Sequence, residues 1–425
     1  MNRFAVWFAP FLFVLLPVPA AEACLWDSTT LATERSEFPG VLELITGKFP
    51  RHSSAYYEWR IEDRLAQLEA EPRELATILA LRDDIAVGYD KLGRHDEAIA
   101  YGTDTLELEP DRYESHANLG TFLLHAGRFE DGLSHLRHAI EINPDAHFGR
   151  EIYQIRLVEW VLEYGREDDG NIRLPIKWVE TSHLSAPPAE SDDPETWHLR
   201  AGALAARSNN FAAYLEKHQP EWNAPSGENP NLNNALHGVL GMMRFGNYNS
   251  PVLLEALGDL LLESGETWWE HARQLAARAY LHASYVVDDK EAAAAYCQLT
   301  RGALRKQTVP SFGTGITKMT LDDIERDLKP ELAEAEAWFA ELKANERRWI
   351  AEGADVEAKF AATYLSEPIY IEHTSHLEWR AFWLKVLDVA LFALVAALIF
   401  AFFYVRSRRK RRKQAAEQAA FPNGG

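Results

Sequence analysis

Histidines at helical spacing are the first place to look for chemistry in this 425-residue chain. His135 and His138, in HLRH, stand three apart, where two imidazoles on one helix face can share a metal ion. No carboxylate completes that set, so the pair is expected on a solvated face. His373 and His376, in EHTSHLE, have a glutamate at each end. A zinc site would need HExxH or a third firm ligand, which leaves polar surface as the expectation there. GTGITK, residues 313–318, has neither the spacing nor the GK[ST] ending of a phosphate loop. Acidic pairs such as Asp83-Asp84, Asp168-Asp169 and Asp322-Asp323 are what 64 acidic residues produce by chance. Nucleophile elbow, kinase set and dinucleotide fingerprint are all missing. These absences predict a protein that is not an enzyme, with no cofactor and no metal.

Two cysteines, Cys24 and Cys297, make no disulfide framework and no CxxC. A bridge between them, or lipid on Cys24, is compatible with export. Cys297, in AAAAYCQL, fits better as a small core residue.

The chain carries a net charge of -20, unevenly placed. Residues 406–425 hold seven Arg/Lys and one Glu, a local +6, while residues 1–23 and 382–405 each balance to zero. Residues 24–381 therefore carry -26, which repels nucleic acid. Residues 1–23 have one Arg, an apolar run and Ala21-Glu22-Ala23, the layout of a cleaved signal peptide. Residues 382–405 are long enough to form one transmembrane helix. Directly behind them stand Arg406, Arg408, Arg409, Lys410, Arg411, Arg412 and Lys413, a stop-transfer anchor that predicts a cytoplasmic tail and an exported bulk. No asparagine sits in an N-x-[ST] sequon, which leans towards a bacterial envelope and a periplasmic location.

The elements between are helical. VLELI and YYEWRIEDRLAQL have helical spacing. KLGRHDEAIAYGTDTLELEP, residues 91–110, then returns as LHAGRFEDGLSHLRHAIEINP, residues 124–144, with Gly93 and Gly127 34 residues apart, as are Pro110 and Pro144. A fixed period of that length marks stacked helix pairs. Residues 147–163 keep the helical period without the motif, as a capping helix would. LSAPPAESDDP, residues 184–194, has linker composition, and 219–231 and 308–318 look irregular. Thr320 with Asp323 forms a capping box, Pro330 suits the first turn of a following helix, and Leu332, Ala335, Phe339, Leu342 and Trp349 recur at helical spacing. That last segment is expected to pack as a helix near the membrane, since Gly353 and Glu346 argue against a long coiled coil.

Ala86, Tyr89, Gly93, Ala98, Leu106 and Pro110 in residues 79–112, and Leu119, Gly120, Leu123, Gly127, Phe129, Ala139, Ile140 and Pro144 in residues 113–146, resemble the tetratricopeptide repeat. Gly132 stands where alanine is usual. A more diverged unit covers 251–285, through Leu257, Gly258, Leu261, Gly265, Ala272 and Ala279. Cys24 to Asp27 with Tyr56 to Glu58 is similar to exported, membrane-anchored bacterial members without assigned activity. The resemblance implies an all-α superhelix. Its layout is an N-terminal domain over 24–183, a second helical region over 195–307, and loop and helices over 308–381.

In that family the first helix of each unit lines a groove for a peptide or partner helix. Those positions fall on Asp83, Asp84, Val87, Asp90 and Lys91, then on Glu114, Ala117, Asn118, Thr121, Leu124 and His125. The clamp with which some members hold an acidic tail is reduced here to Lys91 and Asn118, so the resemblance implies a neutral or basic protein segment as partner. Solvated helix faces are the competing account of the same positions. The function implied is a membrane-tethered scaffold or adaptor. The alternatives are an accessory subunit of an envelope enzyme complex, a hydrolase with its chemistry in 195–300, or a sensor acting through a second membrane protein.

Overall fold

The computed structural model describes residues 35, 38–70, 74–143, 150–176, 209–218, 230–264, 272–304, 308–310 and 316–420. The expected signal peptide, Cys24 and the linker 184–194 lie outside the described residues. Among the described residues, fifteen helices follow in order: α1 Val41–Thr46, α2 Ser54–Ala70, α3 Leu75–Lys91, α4 His95–Leu108, α5 Tyr113–His125, α6 Phe129–Ile142, α7 Arg150–Tyr164, α8 Phe211–His218, α9 Pro230–Phe245, α10 Pro251–Glu263, α11 Arg273–Val286, α12 Lys290–Leu304, α13 Leu321–Ala351, α14 Val356–Tyr364 and α15 His376–Ala420. The fold class is all-α.

The 34-residue echo is written into the backbone. Gly93 and Gly127 take φ of 72° and 75°, a region open to glycine without a Cβ penalty. Each closes a Schellman turn with the same pair of bonds. Arg94 N–H donates to the Tyr89 carbonyl (2.9 Å) and Arg128 N–H to that of Leu123 (2.8 Å), while Gly93 and Gly127 donate to Asp90 and Leu124. These turns reverse α3 into α4 and α5 into α6. Between α5 and α6 the backbones almost touch: a Cβ added at Gly132 would sit 2.8 Å from the Gly120 carbonyl oxygen. Gly132 is thus no free substitute for the usual alanine. It lets the two helices approach.

The repeats are lightly built. Ala86, Ala98 and Phe122 form one small cluster, and Leu133, Leu136, Ile155 and Val158 another. The main core lies elsewhere and joins α1, α7 and α8 to α13, with Trp160, Phe211, Leu257, Tyr280 and Ile324 inside it. α7 serves both sides, with Ile155 and Val158 towards α6 and Tyr153, Leu157 and Trp160 in the main core. Side chains from both sides of the 184–194 stretch share that core. Cys297 packs partly buried against it with a free thiol. In the 251–285 stretch, α10 and α11 meet where Gly258 faces the Tyr280 ring; a Cβ there would come within 2.5 Å of it.

Two expectations need correcting. Residues 308–318 are not simply a loop, because Thr308–Pro310 (β1) and Ile316–Lys318 (β2) pair antiparallel. Three-residue strands are too short to show a period. Pro330 does not open a helix either: it lies inside the 31-residue α13. The capping box of Thr320 and Asp323 starts that helix earlier. Burial of Ile324, Leu328 and Glu331 around the proline holds it together despite the missing N–H.

α13 carries its acids inward. Arg278 of α11, fully buried, makes a bidentate pair with Glu331 through Nε and Nη2, both at 2.9 Å. Asp327, also fully buried, accepts from the Ser375 hydroxyl and from the backbone N–H and Nδ1 of His376, the last two at 2.7 Å. Burial alone would push the Asp327 carboxyl up, but the Ser375 and His376 donors and the charge of Arg278 outweigh it and hold it below the ordinary carboxylate range. EHTSHLE is therefore a joint rather than loose polar surface, because Asp327 and Glu334 of α13 accept the hydrogen bonds of its histidines and backbone. Beyond it α15 runs on, and within α15 the stretch Val389–Gln414 is long and apolar enough to cross a membrane. The end of that stretch is the basic run, so hydrocarbon would accept Val389 to Val405, about 25 Å along the axis. Phe392 and Phe400 there stand 78% and 76% exposed.

Two stability measurements follow. Arg278→Met should cost about 3–5 kcal/mol by leaving Glu331 and Asp327 buried without their counter-charge, and adding Glu331→Met should return most of it. Gly132→Ala should cost about 1–3 kcal/mol by forcing α5 and α6 apart. Denaturant melts of the detergent-solubilised chain measure both; a Gly132→Ala protein as stable as the parent would contradict the close approach.

Candidate docking groove

The first helices of the successive pairs, α3, α5 and α7, stand side by side and enclose a cavity of about 320 Å³. Ala80, Asp83 and Asp84 line it from α3, Glu114, Ala117, Asn118 and Thr121 from α5, and Glu151 and Gln154 from α7. Arg112 closes one side from the turn before α5. Six of the expected groove residues, Asp83, Asp84, Glu114, Ala117, Asn118 and Thr121, thus meet in one place.

Their charge is largely spent inside the protein. Asp83, nearly buried, accepts from Arg112 Nε (3.0 Å) and the Ser115 hydroxyl (2.9 Å). Burial nevertheless dominates and holds its carboxyl above the ordinary range. Asp84 pairs with Arg60 (2.8 Å) and Arg64 (3.0 Å) of α2. Thr121 donates to the Ala117 carbonyl and accepts from Gln154 Nε2 at 3.1 Å. Asn118 differs: its half-exposed side-chain amide has no hydrogen-bond partner among the described residues. An amide with free donors and a free acceptor beside a small-residue floor can grip an extended backbone.

The other expected residues lie outside this cavity. Val87 packs with Ala86, Ala98 and Phe122. Lys91 is drawn away, its ammonium donating to the carbonyls of Phe245 and Gly246 at the end of α9. Asp90 and His125 meet each other, with His95, at the far end of the helices.

Sequence reasoning missed Ala80, Arg112, Glu151 and Gln154. The register held the signal for two of them. Ala80 stands 34 residues before Glu114, and Asp83, Ala117 and Glu151 follow one another at the same interval. α7 is therefore in phase as a third lining helix, although it lacks the motif.

HLRH, on α6, meets a partner from α5. His116 Nε2 donates to the Pro110 carbonyl (2.8 Å), which leaves its Nδ1 to accept from His135 Nδ1–H (2.9 Å). His138 packs edge-on against the His116 ring. Burial holds both His116 and His135 below the usual imidazole range. In the 195–300 region, the acids Glu255 and Asp259 are fully buried on α10 and already satisfied. Glu255 accepts from Tyr296 and the Ile176 N–H, and Asp259 from Tyr280 and the Phe211 N–H. They hold helices together.

The histidines predict a pH dependence. A group whose folded pKa lies below its unfolded value takes up its proton first in the unfolded chain. Stability contributed by His116, His135 and the buried His282 should therefore fall as pH drops through about 6.5. Asp83 works the other way, its contribution growing on acidification because its folded pKa is raised. Thermal midpoints between about pH 7.5 and 5.5 should decline, and His116→Asn with His135→Asn should flatten the slope. An unchanged slope in that variant would contradict the assignment.

No curated protein matches the chain. Residues 91–150, from the last residue of α3 through α6 to the first of α7, match the tetratricopeptide repeat family.

Proposed function

We propose that this protein is a non-catalytic scaffold, tethered to a membrane by α15, whose groove between α3, α5 and α7 receives an extended segment of a partner protein. The observation that carries the proposal is the meeting of six register-chosen residues around one cavity, with the Asn118 amide left unpartnered among the described residues. Repeats of this family serve protein–protein interaction, which supports the class of function. Charge bears on the partner. Four carboxylates, Asp83, Asp84, Glu114 and Glu151, face three guanidiniums, Arg60, Arg64 and Arg112, in and beside the cavity. The rest of residues 24–381 is strongly acidic. A neutral or weakly basic segment fits this field, and an acidic tail does not.

The basic run after Val405 supports an orientation with the helical bulk exported, into a bacterial periplasm, and residues 406–425 in the cytoplasm. The seven cations Arg406, Arg408, Arg409, Lys410, Arg411, Arg412 and Lys413 act as the anchor. The stretch 251–285 serves as a diverged repeat that widens the scaffold.

A photo-crosslinking residue placed at Glu114 or Thr121 of the full-length protein in its native membrane tests the groove. Both positions should capture the same partner, while the exposed Glu107 on the outer helix α4 should not. Ala80→Trp, at an exposed lining position, should fill the cavity mouth and cut capture at least about tenfold, the effect of losing roughly 1.4 kcal/mol of binding. Equal capture from Glu107, or full capture in Ala80→Trp, would sink the groove assignment.

A further inference from the structure

At the end of the repeat helices opposite the cavity, three side chains from three helices converge. Asp90 is the penultimate residue of α3, His95 the first of α4 and His125 the last of α5. The Schellman turn at Gly93 brings His95 back towards Asp90, and the stacking of the second unit on the first delivers His125. Both imidazoles aim Nδ1 at one carboxylate oxygen: His95 Nδ1 and His125 Nδ1 each lie 2.9 Å from Asp90 Oδ1. The Asp90 side chain is 6% exposed, while those of His95 and His125 are 32% and 36% exposed. One buried anion is thus capped by two rings that border solvent.

We infer that Asp90, His95 and His125 form a binding site for a divalent transition-metal ion of the zinc type, tying the two repeats together. Two imidazole nitrogens and a carboxylate are the donor set that borderline metals prefer, and they leave a fourth position open to water or an incoming side chain. The distances suit the change. The three ligand atoms lie within 4.8 Å of one another. A tetrahedral site with bonds of about 2.0–2.1 Å has edges of about 3.4 Å. The present 2.9 Å hydrogen bonds need only lengthen by a few tenths of an ångström, and rings at the surface can swing that far. Each neutral imidazole would move its proton from Nδ1 to Nε2, so that Nδ1 can donate its lone pair to the metal. The neighbouring ammonium of Lys91 is held by the Phe245 and Gly246 carbonyls and does not compete for Asp90. The other histidine group is poorer, because His116 already uses both nitrogens, one on Pro110 and one on His135.

The test uses the full-length protein in detergent, stripped with chelator and titrated with Zn²⁺ alone by calorimetry. One equivalent should bind tightly. His95→Gln and His125→Gln, whose amides can still donate to Asp90, should each weaken binding by at least about 10–100-fold, since losing even a group that only orients a metal ligand costs that much. A His135→Gln, His138→Gln control should keep the site. Zn²⁺ should also raise the thermal midpoint of the parent and of the control, and raise that of the two single variants less. The unmodified chain supplies an independent readout, since Zn²⁺ should protect His95 and His125 from histidine-specific acylation mapped by mass spectrometry. No uptake at one equivalent, unchanged affinity in both Gln variants, or protection confined to other histidines would each overturn the site.

Discussion

The architecture turns on a single buried cation. Arg278 has no contact with solvent, and its guanidinium is shared between Glu331, Asp327 and the Gln274 carbonyl. A guanidinium this deep is tolerated only when its fork is matched by acceptors. Matching it fixes how far α13 can slide along α11. That position in turn sets Asp327 where it receives the Ser375 hydroxyl and the first N–H of α15. Glu334, two turns further along, accepts the Glu372 and His373 N–H groups and the Lys48 ammonium. The carboxylates of one helix thus hold the strand of chain that leads into the apolar segment. This seat for α15 combines those charges with apolar packing, since Ile371 of the same segment is buried in the main core.

The same helix reaches the repeat end of the molecule. Glu346, fully buried, accepts the Ser53 N–H at 2.9 Å and lies 2.7 Å from His52 Nδ1, at the start of α2. α2 supplies Arg60 and Arg64, which neutralise Asp84 at the groove. A chain of hydrogen bonds and ion pairs therefore runs from the base of α15 along α13 and α2 to the lining of the cavity. An aromatic-rich cluster with Tyr56, Leu342, Trp349, Phe360 and Tyr364 buried packs α2, α13 and α14 along the same route, so apolar packing and polar geometry set the spacing together. The repeats contribute a shape that repeats every 34 residues. The acids of α13 determine where that shape is held.

How much of this could be read from residues alone depends on the range of the interaction. The repeat turns are local, and glycine at Gly93 and Gly127 announces them. Once the period is known, the lining positions follow by counting, as Ala80 and Glu151 illustrate. Contacts across long separations leave no such trace. Asp83 looks like a free groove acid until Arg112 and Ser115 fold onto it, and Lys91 looks like a groove cation until Phe245 arrives from 154 residues away. Glu331, Glu334 and Glu346 stand among the apolar residues of α13 much as the acids of a solvated face would. Only the partners on α11, α2 and the 371–376 segment reveal that they point inward. Pro330 misleads for a related reason, since local rules place it at a helix start while tertiary burial carries the helix through it.

The charge of residues 24–381 needs the same correction. A net of -26 over residues 24–381 suggests a surface bristling with free carboxylates. Yet Asp83, Asp84, Asp90, Asp327, Glu331, Glu334 and Glu346 all accept hydrogen bonds within the fold. These acids are structural, and each has a donor in place. The field at the groove is accordingly set by fewer charges than composition implies, with Glu114 more exposed than Asp83 or Asp84 on its lining. In the proposed scaffold, recognition would rest more on the uncommitted amide of Asn118 and the small side chains around it than on bulk acidity. A partner selected in that way would be read through its backbone, with its charge deciding how readily it approaches rather than how it is held.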